Sequence, residues 1–301
     1  MSEQTDSGVP AVENVDPAEA WETGPRWSLS PSRASDFMTC PLLYRFRVVD
    51  RIPERPSREA VRGTVVHQVL EDLFDLPPAE RTVGTATAML PTAWETVKEQ
   101  DEALVTELFD SPDEAQEWLA SAVPLLETYF RLEDPSTLEP AERELRVETA
   151  LDNGLVLRGY VDRLDRNAAG DTRVVDYKTG RAPGEGYEQK ALFQMRFYAL
   201  VLWRATGVVP RLLQLLYLGN EQILRYEPDE DDLRATERKV TALWAAIQRA
   251  HETGDWRPSP SRLCDWCDHQ SRCPSFGGTP PPLPTVPVPA PPPAPQEPAA
   301  S

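Results

Sequence analysis

With 301 residues, 40% of them hydrophobic, and a formal charge of −18, the chain can bury a substantial core in one large domain or two small ones. The acidic balance excludes a broadly basic nucleic-acid binder. No window approaches the roughly 18 continuous apolar residues of a membrane span, and no basic start leads into an apolar run, so a soluble, cytoplasmic protein without a membrane partner is expected.

Residues 1–25 hold Glu3, Asp6, Glu13, Asp16, Glu19 and Glu22 with no Lys or Arg, and half of the residues from Pro280 onward are proline. Both 1–25 and 279–301 are therefore expected to be disordered around one domain at 26–278. Setting the terminal acids aside leaves the middle at about −11. Against that background residues 33–62 are positive at +3, with Arg33, Arg45, Arg47, Arg51, Arg55, Arg58 and Arg62 facing Asp36, Asp50, Glu54 and Glu59. This stretch reads equally as a solvated helix face or as a surface that tracks phosphates.

In chain order, a helix is expected to start at Ser30 or Ser32, where a hydroxyl can cap and Pro31 suits the first turn, and to run through Phe37 and Cys40. A second covers about 58–75, with Val66, Val69, Leu70, Leu73 and Phe74 at helical spacing beside His67. Helices continue to about 132, broken near Pro91 and Pro112, and 79–132 reads as a helical insertion. The period then changes to two at Leu145, Val147 and Thr149, and the Asp152-Asn153-Gly154 turn leads to a second strand at 155–165. A strand at 172–178, a helix at 188–206 and a strand at 211–218 complete a β-β-β-α-β order, before a final strand at 221–226 and an amphipathic helix at about 229–252.

The chemistry concentrates on two of these strands. Asp176 and Lys178 in Val-Val-Asp-Tyr-Lys-Thr-Gly share one face, with Tyr177 on the other. Asp162 in Gly-Tyr-Val-Asp-Arg lies on the neighbouring strand and can bring a second carboxylate beside the first. Two convergent carboxylates suit Mg²⁺ or Mn²⁺, which polarises a phosphate, while the lysine orients water and offsets charge. The bland alternative is a surface ion pair on an edge strand, and the placement of one of only four lysines here speaks against it. Four cysteines make a poor disulfide framework, so metal ligation is expected at Cys40 with Cys264-x2-Cys267-x5-Cys273. Four thiolates complete either a zinc site or a [4Fe-4S] cluster, and ligand count does not choose.

Leu-Ser-Pro-Ser with a following Cys-Pro, Gly-Thr-Val-Val-His, Gly-Tyr-Val-Asp-Arg-Leu-Asp, Val-Asp-Tyr-Lys-Thr-Gly and a Gln-x3-Tyr helix occur in one order across residues 28–276. In this the sequence resembles the RecB-type branch of the PD-(D/E)xK nuclease superfamily. The resemblance implies an α/β restriction-endonuclease-like core, a mixed sheet flanked by helices, and an iron-sulfur clasp joining the N- and C-terminal parts. It implies that Asp162 and Asp176 are metal ligands, with His67 and the main-chain carbonyl of Tyr177 as further ones, and that Lys178 is the catalytic lysine. Gln194 and Tyr198, four residues apart on one helix face, are expected to position substrate. The cysteine spacing resembles the family's iron-sulfur staple, with zinc as the alternative, and Trp266 is expected to shield it. Val161 stands where the superfamily's name has proline, at little cost because the metal needs the carboxylate.

The function expected is a metal-dependent DNA nuclease, an exonuclease working on single-stranded or frayed ends in repair or recombination. A nuclease acting on RNA would use the same chemistry, and a catalytically silent DNA-binding module would keep the fold but lose the carboxylates. The chain has no Gly-Lys dipeptide and hence no Walker-type phosphate loop, so any helicase partner is a separate polypeptide.

Overall fold

The computed structural model describes residues 28–100, 104–184 and 188–284. The expected disordered ends therefore lie outside the described residues, except for 279–284. A short strand β1 (Ser28–Leu29) leads into α1 (Pro31–Thr39), α2 (Pro41–Tyr44) with a π-helical turn at Arg45–Val49, and α3 (Arg58–Leu73). The span expected as an insertion holds α4 (Val83–Gln100), α5 (Leu104–Leu108), α6 (Pro112–Ala120) and α7 (Val123–Leu132). Then follow β2 (Pro140–Ala150), β3 (Val156–Arg166), β4 (Thr172–Lys178), α8 (Gln189–Thr206), β5 (Leu212–Tyr217), β6 (Gln222–Tyr226) and α9 (Glu230–Thr253). Short 3₁₀ turns follow at Arg262–Trp266, which contains Cys264, and at Gln270–Arg272 and Pro274–Phe276, with Cys267 and Cys273 as the residues that flank them.

Local signals account for the boundaries. Ser30 caps α1 by accepting from the Arg33 N–H at 3.3 Å, and Pro31 fills a first-turn position that needs no donor. Asn167 closes the β3–β4 turn, its side-chain oxygen accepting from the Ala169 and Asp171 N–H groups at 3.0 and 2.9 Å. Pro112 begins α6 as expected, but Pro91 does not break a helix: α4 runs straight through it. Leu90, Ala93, Trp94 and Val97 are all buried on that helix, and their packing outweighs the roughly 3 kcal/mol that an interior proline costs.

The strands form one mixed sheet in the order β1-β3-β4-β5-β6, with β2 also paired to β3. β2–β3 and β3–β4 are antiparallel, β4–β5 is parallel, and β1 lies parallel to β3 at Val156 and Leu157. One face packs under α1, α2, α8 and α9, around Leu29, Phe37, Phe197, Leu200, Leu215 and Trp244. The other packs under α3, α4, α6 and α7, around Val66, Leu70, Trp118, Leu126, Tyr177 and Leu216. The result is a three-layer α/β/α sandwich, the restriction-endonuclease-like architecture expected.

Beneath the second face lies a cation with 1% of its side chain exposed. Arg163 donates from Nη2 to the Glu133 carboxylate at 3.1 and 2.9 Å, from Nε to Asp165 at 3.0 Å and from Nη1 to the Tyr177 hydroxyl at 2.7 Å. Its partners come from β3, β4 and the end of α7, so it ties the helical layer to the strands that carry the candidate site.

Candidate active site

The site forms where β3 and β4 separate. Their ladder ends at the pair Arg163↔Val175, so Asp162 and Asp176 are the first residues beyond it. Instead of a further rung, the Asp162 side chain takes the Tyr177 N–H at 2.6 Å. Asp176 and Lys178 point the same way from β4 and meet, Nζ lying 2.6 Å from Oδ2, while the Gln194 amide of α8 donates to Asp176 Oδ1 at 3.1 Å. Both Asp176 oxygens are thus held before any substrate arrives. Lys178 remains a cation: burial pulls its pKa down, but Asp176 and Asp162 outweigh this and hold it above the ordinary lysine value.

His67 reaches the same spot from α3. Its Nε2 is 3.1 Å from the Tyr177 carbonyl, which only accepts, so the hydrogen sits on Nε2. Nδ1 then faces Asp162 Oδ2 at 3.5 Å, acceptor toward acceptor, an arrangement that calls for a proton or a metal ion beside it. Gly63, one turn earlier on α3, lets the helix come this close, because a Cβ there would already stand 3.2 Å from Thr179 Oγ1.

Sequence reasoning missed one candidate ligand. Donor atoms of His67, Glu144 and Asp162 all lie within 4.8 Å of one another. Glu144 sits between the β2–β3 pairs Arg143↔Arg163 and Leu145↔Val161, opposite Asp162, with φ at +43°. A left-handed glutamate inside a strand is strained, and strain of this kind collects at functional sites. Burial, then Asp162, Glu71 and Asp176, push Glu144 up to about 8. Burial and Asp176 likewise raise Asp162 to about 6, against the opposing pull of His67, the Tyr177 N–H and Lys178. Two carboxylates driven toward protonation beside a histidine fit a divalent cation, whose charge would reverse both shifts. Asp176 is not a member of this three-residue group; Lys178 and Gln194 occupy its carboxylate instead.

Tyr198 lies one turn beyond Gln194, under β3. A Cβ at Gly159 would stand 2.6 Å from its ring, so the glycine is what admits the tyrosine there. Gln194, Tyr198 and Lys178 line one cleft of about 510 Å³, and His67, Glu144 and Tyr177 a second of about 770 Å³. Tyr160 and Lys178 line both, so Lys178 and the Asp176 carboxylate paired with it stand at their junction.

The arginine-rich stretch does not form one surface. Arg45 is buried against Asp50 and the Pro281 carbonyl, Arg58 binds the Leu108 carbonyl and Glu114, and Arg62 bonds Ser121. Arg33 and Arg47 alone of the seven line the first cleft, where sequence reasoning missed Arg146, Arg158 and Lys190.

Cys40, Cys264, Cys267 and Cys273 line one small cavity of about 50 Å³ between α1, α2 and the C-terminal turns, and none is in a disulfide. Among the described residues no three of their sulfurs lie within 4.8 Å of one another. Trp266 does not shield this cavity: it is 77% exposed and points outward, because the 3₁₀ turn that carries it aims Cys264 and Cys267 inward.

The comparisons with known proteins agree with this geometry. A family profile described as the PD-(D/E)XK nuclease superfamily matches residues 28–274. The gene 69 protein of Mycobacterium phage D29 is 24% identical over 274 residues, covering 82% of this chain and 96% of the phage protein. The gene 69 protein of phage L5 is 23% identical over 292 residues with the same coverage. A crystal structure from Eubacterium rectale, of a protein provisionally assigned as an exonuclease, superposes with a TM-score of 0.55 at 13% identity, over 86% of this chain and 94% of that one.

Proposed function

Starting from the fact that the chain belongs to the PD-(D/E)XK nuclease superfamily, we propose that it is a Mg²⁺- or Mn²⁺-dependent exodeoxyribonuclease of the RecB type, acting on single-stranded or frayed DNA ends in repair or recombination. The observation that carries the reading is the junction of the two clefts. There a lysine is held as a cation 2.6 Å from Asp176, beside a histidine and two carboxylates in ligand range of one another. His67, Glu144 and Asp162 would hold the metal, with the Tyr177 carbonyl and Asp176 beside them. The bound cation would polarise the scissile phosphate and lower the cost of forming hydroxide from water. Lys178, fixed by Asp176, presents an ammonium to the negative charge that grows on the phosphorus oxygens. Gln194 keeps Asp176 turned toward Lys178, and Tyr198 forms part of the wall where the strand lies.

The preference for single strands and ends rests on the absence of a phosphate-loop motor and on a charge of −18, which does not favour clamping a duplex. Unwinding would fall to a separate helicase. Among the described residues no helix is long and apolar enough to cross a membrane. For the clasp we favour a [4Fe-4S] cluster. What supports it is the spacing of Cys264, Cys267 and Cys273 with the distant Cys40 and the lining of one common cavity by all four.

The test is a timed digest of end-labelled single-stranded DNA, blunt duplex and RNA with Mg²⁺ or Mn²⁺. The expected result is mononucleotides or short products from one end of single-stranded DNA, and no cleavage by Asp176→Ala. Equal rates on blunt duplex would overturn the end preference. Faster RNA cleavage would overturn the substrate, and full activity of Asp176→Ala would overturn the mechanism.

A further inference from the structure

The two clefts that meet at the carboxylates are opposite in charge. The 510 Å³ cleft is lined by six cationic side chains, Arg33, Arg47, Arg146, Arg158, Lys178 and Lys190, against one carboxylate, Asp36. The 770 Å³ cleft has Lys178 alone among lysines and arginines, against Glu71 and Glu144. On a chain of net charge −18 the first cleft is an island of positive potential, and it ends at the catalytic groups.

Its cations come from four separate parts of the fold: the α1–α2 region, the β2–β3 hairpin, the end of β4 and the start of α8. Asp36 and Glu54 already engage Arg47, and Glu148 engages Arg146. Among the described residues the Arg33 guanidinium donates only to the Ser28 carbonyl and hydroxyl, neutral groups that position it without cancelling its charge. Burial and then Arg158 hold the Arg33 guanidinium below its ordinary value; burial and Arg146, against the pull of Glu148, do the same to Arg158. Cations crowded in this way are relieved by an anion entering between them. The Ser30 and Ser32 hydroxyls on the same wall add neutral donors of the kind that phosphate oxygens accept.

We propose that the Arg33, Arg158 and Lys190 cleft binds the backbone phosphates of a single nucleic-acid strand on one side of the scissile bond only, so that the enzyme retains one product and releases the other. The inference rests on the nuclease reading of the junction. It adds that the grip is one-sided: a strand continuing past the metal into the Glu71 and Glu144 cleft finds no lysine or arginine there beyond Lys178 and gains no further hold. The retained side would be the polymer, which stays in place while the released side leaves the metal cleft.

Two measurements test this, one of them independent of catalysis. The first is equilibrium binding of a labelled single-stranded oligonucleotide in EDTA, comparing wild type with Arg158→Gln/Lys190→Gln, whose side chains are at least partly exposed. Affinity is expected to fall about tenfold at low salt, and the slope of log K against log salt to flatten by about 1.4, two single-strand phosphate contacts at about 0.7 each. Arg33→Lys, which keeps the charge but loses the paired bonds to Ser28, is expected to lose less affinity than Arg158→Gln/Lys190→Gln and to keep the wild-type slope.

The second is cleavage of oligonucleotides carrying one uncharged methylphosphonate linkage on either the 5′ or the 3′ side of the scissile bond. On one side the substitution should raise KM about tenfold and leave kcat within twofold. On the other it should change neither, and in Arg158→Gln/Lys190→Gln the difference between sides should shrink. Equal sensitivity on both sides, or unchanged affinity and salt slope in the double variant, would overturn the one-sided clamp while leaving the nuclease reading intact. Sensitive binding by a protein that cleaves neither DNA nor RNA would support the clamp and overturn the nuclease reading.

Discussion

Replacing Glu144 by Gln should remove most of the pH dependence of stability of the metal-free protein. In the fold Glu144 titrates at about 8, whereas an unfolded glutamate titrates near 4.5. Between these values the native state holds a proton that the unfolded chain has released. Stability contributed by this group is therefore fully present below about pH 4.5 and declines as pH rises toward 8. At about 1.4 kcal/mol per pH unit over that window the ceiling is about 5 kcal/mol, and Asp162, displaced to about 6, adds a smaller decline at lower pH. The assay is urea unfolding in EDTA from pH 4.5 to 8.5 on wild type and Glu144→Gln. The wild-type midpoint should fall steadily, and that of the variant should fall much less. Excess Mn²⁺ should restore the wild type most strongly at high pH, by about 2.7 kcal/mol at a hundred times Kd, with proton release on binding. A wild-type midpoint that stays flat from pH 5 to 8 without metal, or identical slopes for the two proteins, would refute the reasoning.

Asp176→Ala and Lys178→Ala should each lower kcat by about 10² to 10⁴ with strand binding largely kept, since at least five of the six cationic side chains of the basic cleft remain in each; single-turnover kinetics and anisotropy separate the two effects. Arg163→Met should destabilise by up to about 3 kcal/mol in urea, because Glu133 and Asp165 would stay largely buried with only the more exposed Arg173 left to pair with them. Adding Glu133→Gln should recover part of that loss. Protein purified anaerobically should contain about four irons per chain. Cys40→Ser should lower iron content, melting temperature and strand affinity together, and a variant that keeps wild-type iron and melting temperature would remove Cys40 from the ligand set.

The strand that carries Asp176 and Lys178 was legible because its chemistry is local: a period of two fixes which side chains share a face, whatever the rest of the fold does. The helices of His67, Gln194 and Tyr198 were legible for the same reason. Glu144 was not. It lies among Glu142, Arg143, Arg146 and Glu148 in a strand of alternating charge, and its turn toward Asp162 comes from a left-handed backbone that no residue type announces. The basic cleft was hidden for a different reason. Its cations are spread over residues 33–190, and only pairing of β2 with β3 and the seating of α8 bring them to one wall. A window of seven arginines suggested a surface instead, and the structure spends Arg45, Arg58 and Arg62 on internal contacts.

The clasp and the cleft are physically continuous, which explains why a change at the cysteines should be felt by the strand. His269, between Cys267 and Cys273, is 1% exposed, with its ring against Phe46 and its Nε2 2.9 Å from Glu54 Oε1. The same Glu54 oxygen accepts from Arg47 Nε at 2.7 Å, and Arg47 Nη1 donates to Asp36 at 2.6 Å. Arg47 and Asp36 are wall residues of the basic cleft. Every link is a short polar contact, and the first lies in a packed interior where a displaced ring has nowhere else to go. Opening the cysteine cavity frees His269, leaves Glu54 held from one side only, and lets Arg47 shift on its long side chain. Lys178 and Asp176, held by β4 and Gln194, have no part in this chain of contacts. Loss of the clasp should therefore act on strand affinity and stability, and the carboxylate variants on turnover.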